Sequence, residues 1–365
     1  MEKTDLNTAQ ALHWLRYVLN PDTEAPTVSD WAAIYVFARK QALIGICVPQ
    51  IRQESMPKRI LFEWIGQVQL IEQRNNLINT RIGQLFEMLE QDGYECCLLK
   101  GQGNAEIYPN PLRRTPGDID IWVNAGEEEV YGYVQNKFPS EKVSFKHIHF
   151  PIFSDVRVDV HVTPLKLLSR RNQKRLQCWI ERNREEQFAH KVSLSGIDRT
   201  VNVPTDAFNA VYQLGHMLIH LFDDGLGLRQ VVDYYYYVLK RLSSDLTERN
   251  KIAGTIKELG MLRFARALMW VESEVLGLPS FYCVVEPDGR LGRLVLNDII
   301  EGGNFGHHTH RYKGKGGFYY KGIVKARRIM RLFSVAPRDC AARLLSKPGT
   351  VVRHAVKKCK RLISG

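Results

Sequence analysis

Asp118-Ile119-Asp120-Ile121-Trp122-Val123 is the stretch on which the reading of this chain turns. On a strand, successive side chains point to opposite faces, so Asp118, Asp120 and Trp122 share one face while Ile119, Ile121 and Val123 take the other. Residues 156–162 repeat the alternation, with Val156, Val158, Val160 and Val162 on one side and Arg157, Asp159 and His161 on the other. If the two strands are neighbours with their apolar faces on the same helices, Asp159 joins Asp118 and Asp120 on the open side. Three carboxylates that close repel one another unless divalent cations neutralise them, which is the arrangement of a two-metal phosphoryl-transfer site. Magnesium, a hard cation that prefers oxygen ligands, is the natural occupant. A D-x-D pair on a solvated strand face is the plainer alternative.

Upstream, an apolar run Tyr94–Lys100 ends at Lys100-Gly101-Gln102-Gly103, where a strand gives way to a helix-compatible segment, Asn104–Tyr108. A glycine turn of this kind can present backbone N–H groups to a phosphate, with Lys100 adding charge, although glycine after a strand is also simply a turn. The rigid connector Tyr108-Pro109-Asn110-Pro111-Leu112-Arg113-Arg114-Thr115-Pro116-Gly117 brings two arginines next to the aspartates, and the planar guanidinium suits triphosphate oxygens. Further β-type runs are His147–Phe153 and Val156–Val162, joined by a Ser154-Asp155 hairpin, with a helix near Glu127–Phe138 before them. Residues 7–20, 28–47 and 57–91 carry apolar positions at helical spacing, and the same spacing returns from Asp206 to Leu276 with breaks at Asp223-Asp224-Gly225 and near Asn250 and Gly260. The expected fold is α+β: a small mixed β-sheet core flanked by N-terminal and C-terminal helical regions. Its divisions fall at 1–92 (helical), 93–200 (sheet core), 201–300 (helical) and 301–365 (glycine-rich loop and basic tail).

Leu98-Leu99-Lys100-Gly101, Tyr108-Pro109, Arg114, Asp118-Ile119-Asp120 and Val158-Asp159-Val160-His161 together resemble the nucleotidyltransferase-like proteins of the DNA polymerase beta superfamily, in the uncharacterised branch found with bacterial capsular-polysaccharide genes. The likeness continues through His220, Leu228-Arg229, Asp233 and Glu301-Gly302-Gly303-Asn304-Phe305-Gly306, and covers roughly residues 30–310. It implies metal-dependent transfer of a nucleoside monophosphate from an NTP to an unidentified acceptor hydroxyl or phosphate, in surface-polysaccharide metabolism. Asp118 and Asp120 would be ligands to both metals, Mg2+ or Mn2+, and Asp159 the base or second-metal ligand. Lys100, Gly101, Gln102 and Arg114 would meet the nucleotide, and His161, His220, Arg229, Asp233 and Asn304 the acceptor or the cleft wall. In the wider superfamily Gly-Ser or Gly-Gly stands at the phosphate turn, whereas Gln102 follows Gly101 here.

Several other features carry two readings each. His216 and His220 stand at i, i+4, a zinc-compatible spacing, but without the glutamate of H-E-x-x-H or an evident third ligand. Arg229 and Asp233 are one turn apart and read as an exposed ion pair or as cleft residues. His307, His308 and His310, in the glycine-rich stretch 302–317, read as a solvated loop or a lid.

Bulk composition is that of an ordinary globular chain, 44% apolar and 25% charged, which excludes disorder and collagen-like repeats. Seven scattered cysteines without a C-x-x-C pair point to reduced thiols, and no apolar run is long enough to span a bilayer. A cytoplasmic location is expected, with peripheral membrane attachment as the alternative. The net charge of +12 is confined to the C-terminus, where residues 321–365 hold 13 Lys/Arg against Asp339. A basic segment of this kind suits an anionic surface, membrane or nucleic acid. In that light the molecule could also be an RNA-modifying, toxin-like nucleotidyltransferase, or a catalytically inactive binding module. Burial of Ile323, Ile329, Leu332, Phe333, Leu344 and Leu345 against the body is the competing account of the tail.

Overall fold

A computed structural model describes residues 3–49, 55–139, 148–242, 245–304 and 326–346. Four helices open the chain: α1 (Lys3–Leu19), α2 (Trp31–Lys40), α3 (Ile44–Cys47) and α4 (Lys58–Gln91). Asp30 caps α2 by accepting from the Ala33 N–H, satisfying one of the donors a helix start leaves open. The indole N–H groups of Trp14 and Trp64 donate to the carbonyls of Cys47 and Ile44 and so tie the short α3 to its neighbours. The 28–47 stretch holds two helices, because Gln41-Ala42 interrupts it and Ala42 adopts φ 57.

The sheet follows: β1 (Cys96–Leu99), α5 (Gly101–Ala105), β2 (Ile119–Val123), α6 (Glu127–Lys137), β3 (Ile148–His149) and β4 (Val158–His161). Its order is β1-β2-β4-β3, with β2 and β4 parallel and both edge strands antiparallel to their neighbours. The valine and isoleucine face, including Ile119, Ile121, Val158 and Val160, is buried against Ile78, Ile82, Leu85 and Phe86 of α4 and Val130 and Val134 of α6. These α4 residues recur at helical spacing along one stripe, so a long amphipathic helix backs the sheet.

Beyond the sheet lie α7 (Arg170–Arg182), α8 (Arg184–Ala189), a hairpin of β5 (Lys191–Ser193) and β6 (Thr200–Asn202), then α9 (Asp206–Phe222), α10 (Leu228–Lys240), α11 (Leu246–Glu258), α12 (Leu262–Trp270) and α13 (Gly289–Gly302). A π-helical turn spans Val271–Val275. The break expected near Asn250 falls a few residues earlier, between α10 and α11: Asp245 caps α11 by accepting from Thr247 N, and the helix runs through Asn250, which is exposed. The aspartate face of the sheet is not open either. Trp122 lies fully buried against Phe188 of α8 and Phe208 of α9, so helices cover both faces.

Part of the basic C-terminal segment belongs to this packed body. Ile329 in a helix at 326–331, Leu332 and Val335 in the turn that follows, and Cys340 in α14 (Pro337–Ser346) are buried. Arg328 and Arg331 bind Asp298, and Arg343 binds Asp223. His307, His308, His310 and residues 347–365 lie outside the described residues, as does Ile323.

Candidate active site

Asp120 and Asp159 are direct partners in the parallel β2–β4 register, and Asp118 stands one step before β2. One carboxylate oxygen of each lies within 4.8 Å of the others, Asp120 and Asp159 buried and Asp118 at the exposed rim. This is the juxtaposition that the two alternating patterns predict. Three hard oxygen donors converging in this way fit a divalent cation such as Mg2+.

The surrounding charges are arranged around that cluster. Lys100 Nζ lies 2.8 Å from Asp120 and 2.9 Å from His216 Nε2. His161 Nε2 lies 2.7 Å from the other Asp120 oxygen, and Arg157 Nε lies 3.0 Å from Asp159. Burial opposes ionisation of Asp120, but Lys100 and His161 outweigh it and hold the carboxyl below the ordinary range. Asp118, at the rim but with its carboxyl group partly desolvated, moves the other way, raised by that desolvation and by the neighbouring Asp120 charge. Burial together with Lys100 and His220 keeps His216 neutral, with its pKa well below the usual histidine value. A neutral His216 can accept from the Lys100 ammonium. Lys100 itself adopts φ 48, a conformation in which a non-glycine residue is strained, as is common where a side chain is aimed at a functional site.

Lys100, Asp118, Asp120 and His216 line an open cleft between the sheet and helices α9 and α10, whereas Asp159 and His161, also expected at the site, are not among its lining residues. Among the lining residues are Lys100, Gly101, Arg114, Asp118, Asp120, His220, Arg229 and Asp233, all expected at the site. Gly117 passes close to the Arg229 guanidinium, with only 3.8 Å between a Cβ there and Nη1. His216 and His220 are 3.2 Å apart through their Nε2 atoms, and His216 serves Lys100, so the pair belongs to the cleft wall. Asn304 packs against Gly227 at the start of α10, two residues from Arg229.

Gln102 and Arg114 are placed differently from expectation, and Arg229 and Asp233 are cleft residues, not an exposed pair. Gln102 is buried and donates to Asn75 and Asn79 of α4, so it faces away from the cleft. Arg114 sets its Nε and Nη2 on the two oxygens of Asp233 at 2.7 and 2.8 Å, while Tyr108 donates to the same carboxylate at 2.5 Å. Asp233 forms an ion pair with Arg114, 119 residues away in sequence, and Asp233 and Arg229 are both buried rather than exposed. Arg229 donates to the Thr115 carbonyl, and burial together with the nearby Arg114 charge lowers its pKa to about 10.

The structure also adds cleft residues that sequence spacing did not single out. Tyr212 Oη, Gln213 Nε2 and Gln230 Nε2 are buried polar atoms in lining residues and make no hydrogen bond in the structure. Their signal in the sequence is weak, since each lies among apolar residues of a helix that reads as core.

A family model described as "Uncharacterised nucleotidyltransferase" matches residues 27–277. Among solved structures, an antigenic nucleotidyltransferase-like protein from Paracoccidioides brasiliensis matches at 12% identity over 49% of this chain and 87% of that chain. Its TM-score of 0.31 is too low for the likeness to carry an argument. No curated protein matches the chain.

Proposed function

The chain belongs to the uncharacterised nucleotidyltransferase family, and from that premise we propose that it transfers a nucleoside monophosphate from an NTP to an acceptor hydroxyl or phosphate at the Asp118, Asp120 and Asp159 cluster. The observation that carries this reading is the convergence of those three carboxylates within 4.8 Å on adjacent parallel strands. Asp118, Asp120 and Asp159 would hold divalent cations, Mg2+ or Mn2+, which supply charge neutralisation and polarise a phosphoryl oxygen. Lys100, with Gly101 at its turn, and Arg229 are the cleft-lining groups assigned to the substrate phosphates. His161 orients Asp120 through its 2.7 Å contact. Asp159 receives the acceptor proton or completes the ligand set. The acceptor oxygen bonds to the α-phosphorus, the bond to the β-phosphate bridging oxygen breaks, and pyrophosphate leaves.

Arg114 and Asp233 form a brace in this scheme. They tie the Pro-rich connector to α10, which carries Arg229. Gln102 fixes the Lys100 turn to α4. His220 and Asn304 complete the cleft wall and the α10 entry. Membership of the DNA polymerase beta superfamily and a place in surface-polysaccharide metabolism are supported by the motif resemblance alone, and no cleft residue argues for a sugar. An NTP substrate favours the cytoplasm. Among the described residues no helix is long and apolar enough to cross a membrane.

The test is incubation of the full chain with each α-labelled NTP, with and without Mg2+ or Mn2+, in a pool of cell metabolites and nucleic acids, followed by mass spectrometry. Adducts heavier by one nucleoside monophosphate, dependent on metal and absent with Asp120→Asn, are the expected result. Their absence with every NTP would leave a binding protein in place of the transferase.

A further inference from the structure

The first half of α7 is built against its own stability. From Val160 to Ile180 the chain carries five basic residues, Lys166, Arg170, Arg171, Lys174 and Arg175, and no Asp or Glu. All five are exposed. The first turn of α7 contains no acidic residue, so its cations sit at the helix end where the macrodipole disfavours positive charge. Arg170 and Lys174 are also like-charged neighbours at i, i+4, as are Arg171 and Arg175. The helix holds because Leu176 and Ile180 are buried and Trp179 stacks on Phe208. A locally unfavourable charge pattern retained on a packed helix points to a binding role.

The position of this face matters as much as its charge. Ser169, the residue before α7, donates its N–H to Asp339 of α14. One turn further along α14, Arg343 binds Asp223, next to the end of α9 that carries His216 and His220. Leu165 packs directly on Gly215, the neighbour of cleft-lining His216. The basic segment therefore abuts α9, the helix whose other face lines the cleft.

We infer that α7 is a track for a polyanionic acceptor, a single-stranded nucleic acid whose reacting end enters the cleft while its phosphates follow Arg170, Arg171, Lys174 and Arg175. This rests on the transferase reading given above. An anionic membrane is the less fitting partner, because Leu165, Leu167, Leu176 and Ile180 are all buried and Leu168 is the one exposed aliphatic side chain in the stretch. An interfacial helix needs an apolar face to insert, whereas phosphodiester contacts need only the cations.

The experiment uses the full chain and a fluorescein-labelled, mixed-sequence RNA of about 20 nucleotides, followed by anisotropy between 50 and 200 mM KCl. The test variant carries Arg170→Gln, Arg171→Gln, Lys174→Gln and Arg175→Gln. A control removes four exposed cations elsewhere: Lys58→Gln, Arg59→Gln, Lys191→Gln and Arg290→Gln. At about 0.7 in log–log salt slope per single-strand phosphate contact, the α7 variant should lose about 3 from the slope, so that wild-type affinity falls about 50-fold more than the variant's across that salt range. The control should bind as wild type does. An α7 variant with unchanged affinity and slope overturns the inference and moves any RNA contact to residues 321–365. Failure to bind RNA, with α7-dependent binding to vesicles containing phosphatidylserine, overturns it in favour of a membrane face. RNA binding through α7 without nucleotide transfer to that RNA overturns the acceptor assignment. Nucleotide transfer to a small molecule with no RNA binding overturns this inference and leaves the transferase standing.

Discussion

Replacing Arg114 by methionine separates a substrate-binding arginine from a structural one. In the folded protein both Asp233 oxygens are engaged by Arg114, and Tyr108 donates to one of them, with all three side chains buried. Burial works against the Arg114 charge, but Asp233 more than compensates and raises its pKa. Removing the guanidinium leaves a carboxylate in a low-dielectric setting with one neutral donor and the already repelled Arg229 nearby. Breaking such a buried pair costs about 3–5 kcal/mol, a large part of a stability of roughly 5–15 kcal/mol. Three kcal/mol is about a 150-fold loss in the folding equilibrium constant. Urea unfolding followed by circular dichroism should show this as a lowered midpoint for Arg114→Met. Arg114→Met/Asp233→Leu, which removes both charges, should regain most of it, because the orphaned carboxylate is then gone. NTP affinity, measured by calorimetry below the unfolding range, should fall less for Arg114→Met than for Arg229→Met. A normal unfolding midpoint in Arg114→Met with NTP affinity reduced tenfold or more would refute the brace and return Arg114 to the triphosphate.

Asp118→Asn, Asp120→Asn and Asp159→Asn should each abolish nucleotide transfer and the rise in melting temperature that Mn2+ gives the wild type, while circular dichroism stays native. Asp118→Asn should also stabilise the metal-free protein at neutral pH, since desolvation and Asp120 raise the folded carboxyl's pKa and its contribution is lost as pH rises above the unfolded value. Gln102→Met should lower stability by about 1–3 kcal/mol through the unpaired Asn75 and Asn79 oxygens, with NTP affinity unchanged; a selective loss of affinity would restore the phosphate-turn role. Glu272 is fully buried with neither carboxyl oxygen hydrogen-bonded, and burial pushes its pKa well above 4.5. Its folded form therefore holds a proton that the unfolded chain releases, so its stabilising contribution is complete below 4.5 and declines by about 1.4 kcal/mol per pH unit above that, until the folded carboxyl titrates. Glu272→Gln should flatten the fall in unfolding free energy between pH 5.5 and 7.5, and parallel pH profiles for variant and wild type would show that the carboxyl is ionised in the folded state.

The strands and helices that could be read from the chain are those with strong periodicity. Ile119, Ile121 and Val123 alternate with polar residues, and Ile78, Ile82 and Leu89 repeat along α4, so each pattern names its own partner surface. The stretch 166–203 escaped because its elements bury so little. α7 holds on Leu176 and Ile180 amid dense charge, and β5 and β6 are three residues each with Val201 the one deeply buried side chain between them. Asn250 drew the expected break a few residues too late for the opposite reason: a residue that often ends helices sits on the exposed side of α11, where it costs little.

The anions of the site and Lys100 were legible and the partners of the arginines were not, and the difference lies in how each is positioned. Asp118, Asp120 and Asp159 are short side chains on two strands, and a period of two with a parallel register leaves them nowhere else to point. Arginine carries its charge at the end of a long stem, so nearness in sequence does not decide its partner. Arg113 and Arg114 adjoin the aspartates along the chain, yet Arg113 turns to Glu72 of α4 at 2.9 Å and Arg114 turns to Asp233. Both choices follow from the connector, which Asn75 pins by donating to the Leu112 and Arg114 carbonyls. With the connector held on α4 and α10 held on the connector, Asp233 meets Arg114. Arg229 then keeps its guanidinium at the cleft beside Gly117 and Asp118. The placement of Arg229 at the cleft is thus reached through Asp233, Arg114 and Asn75, at separations in sequence that no local period reports.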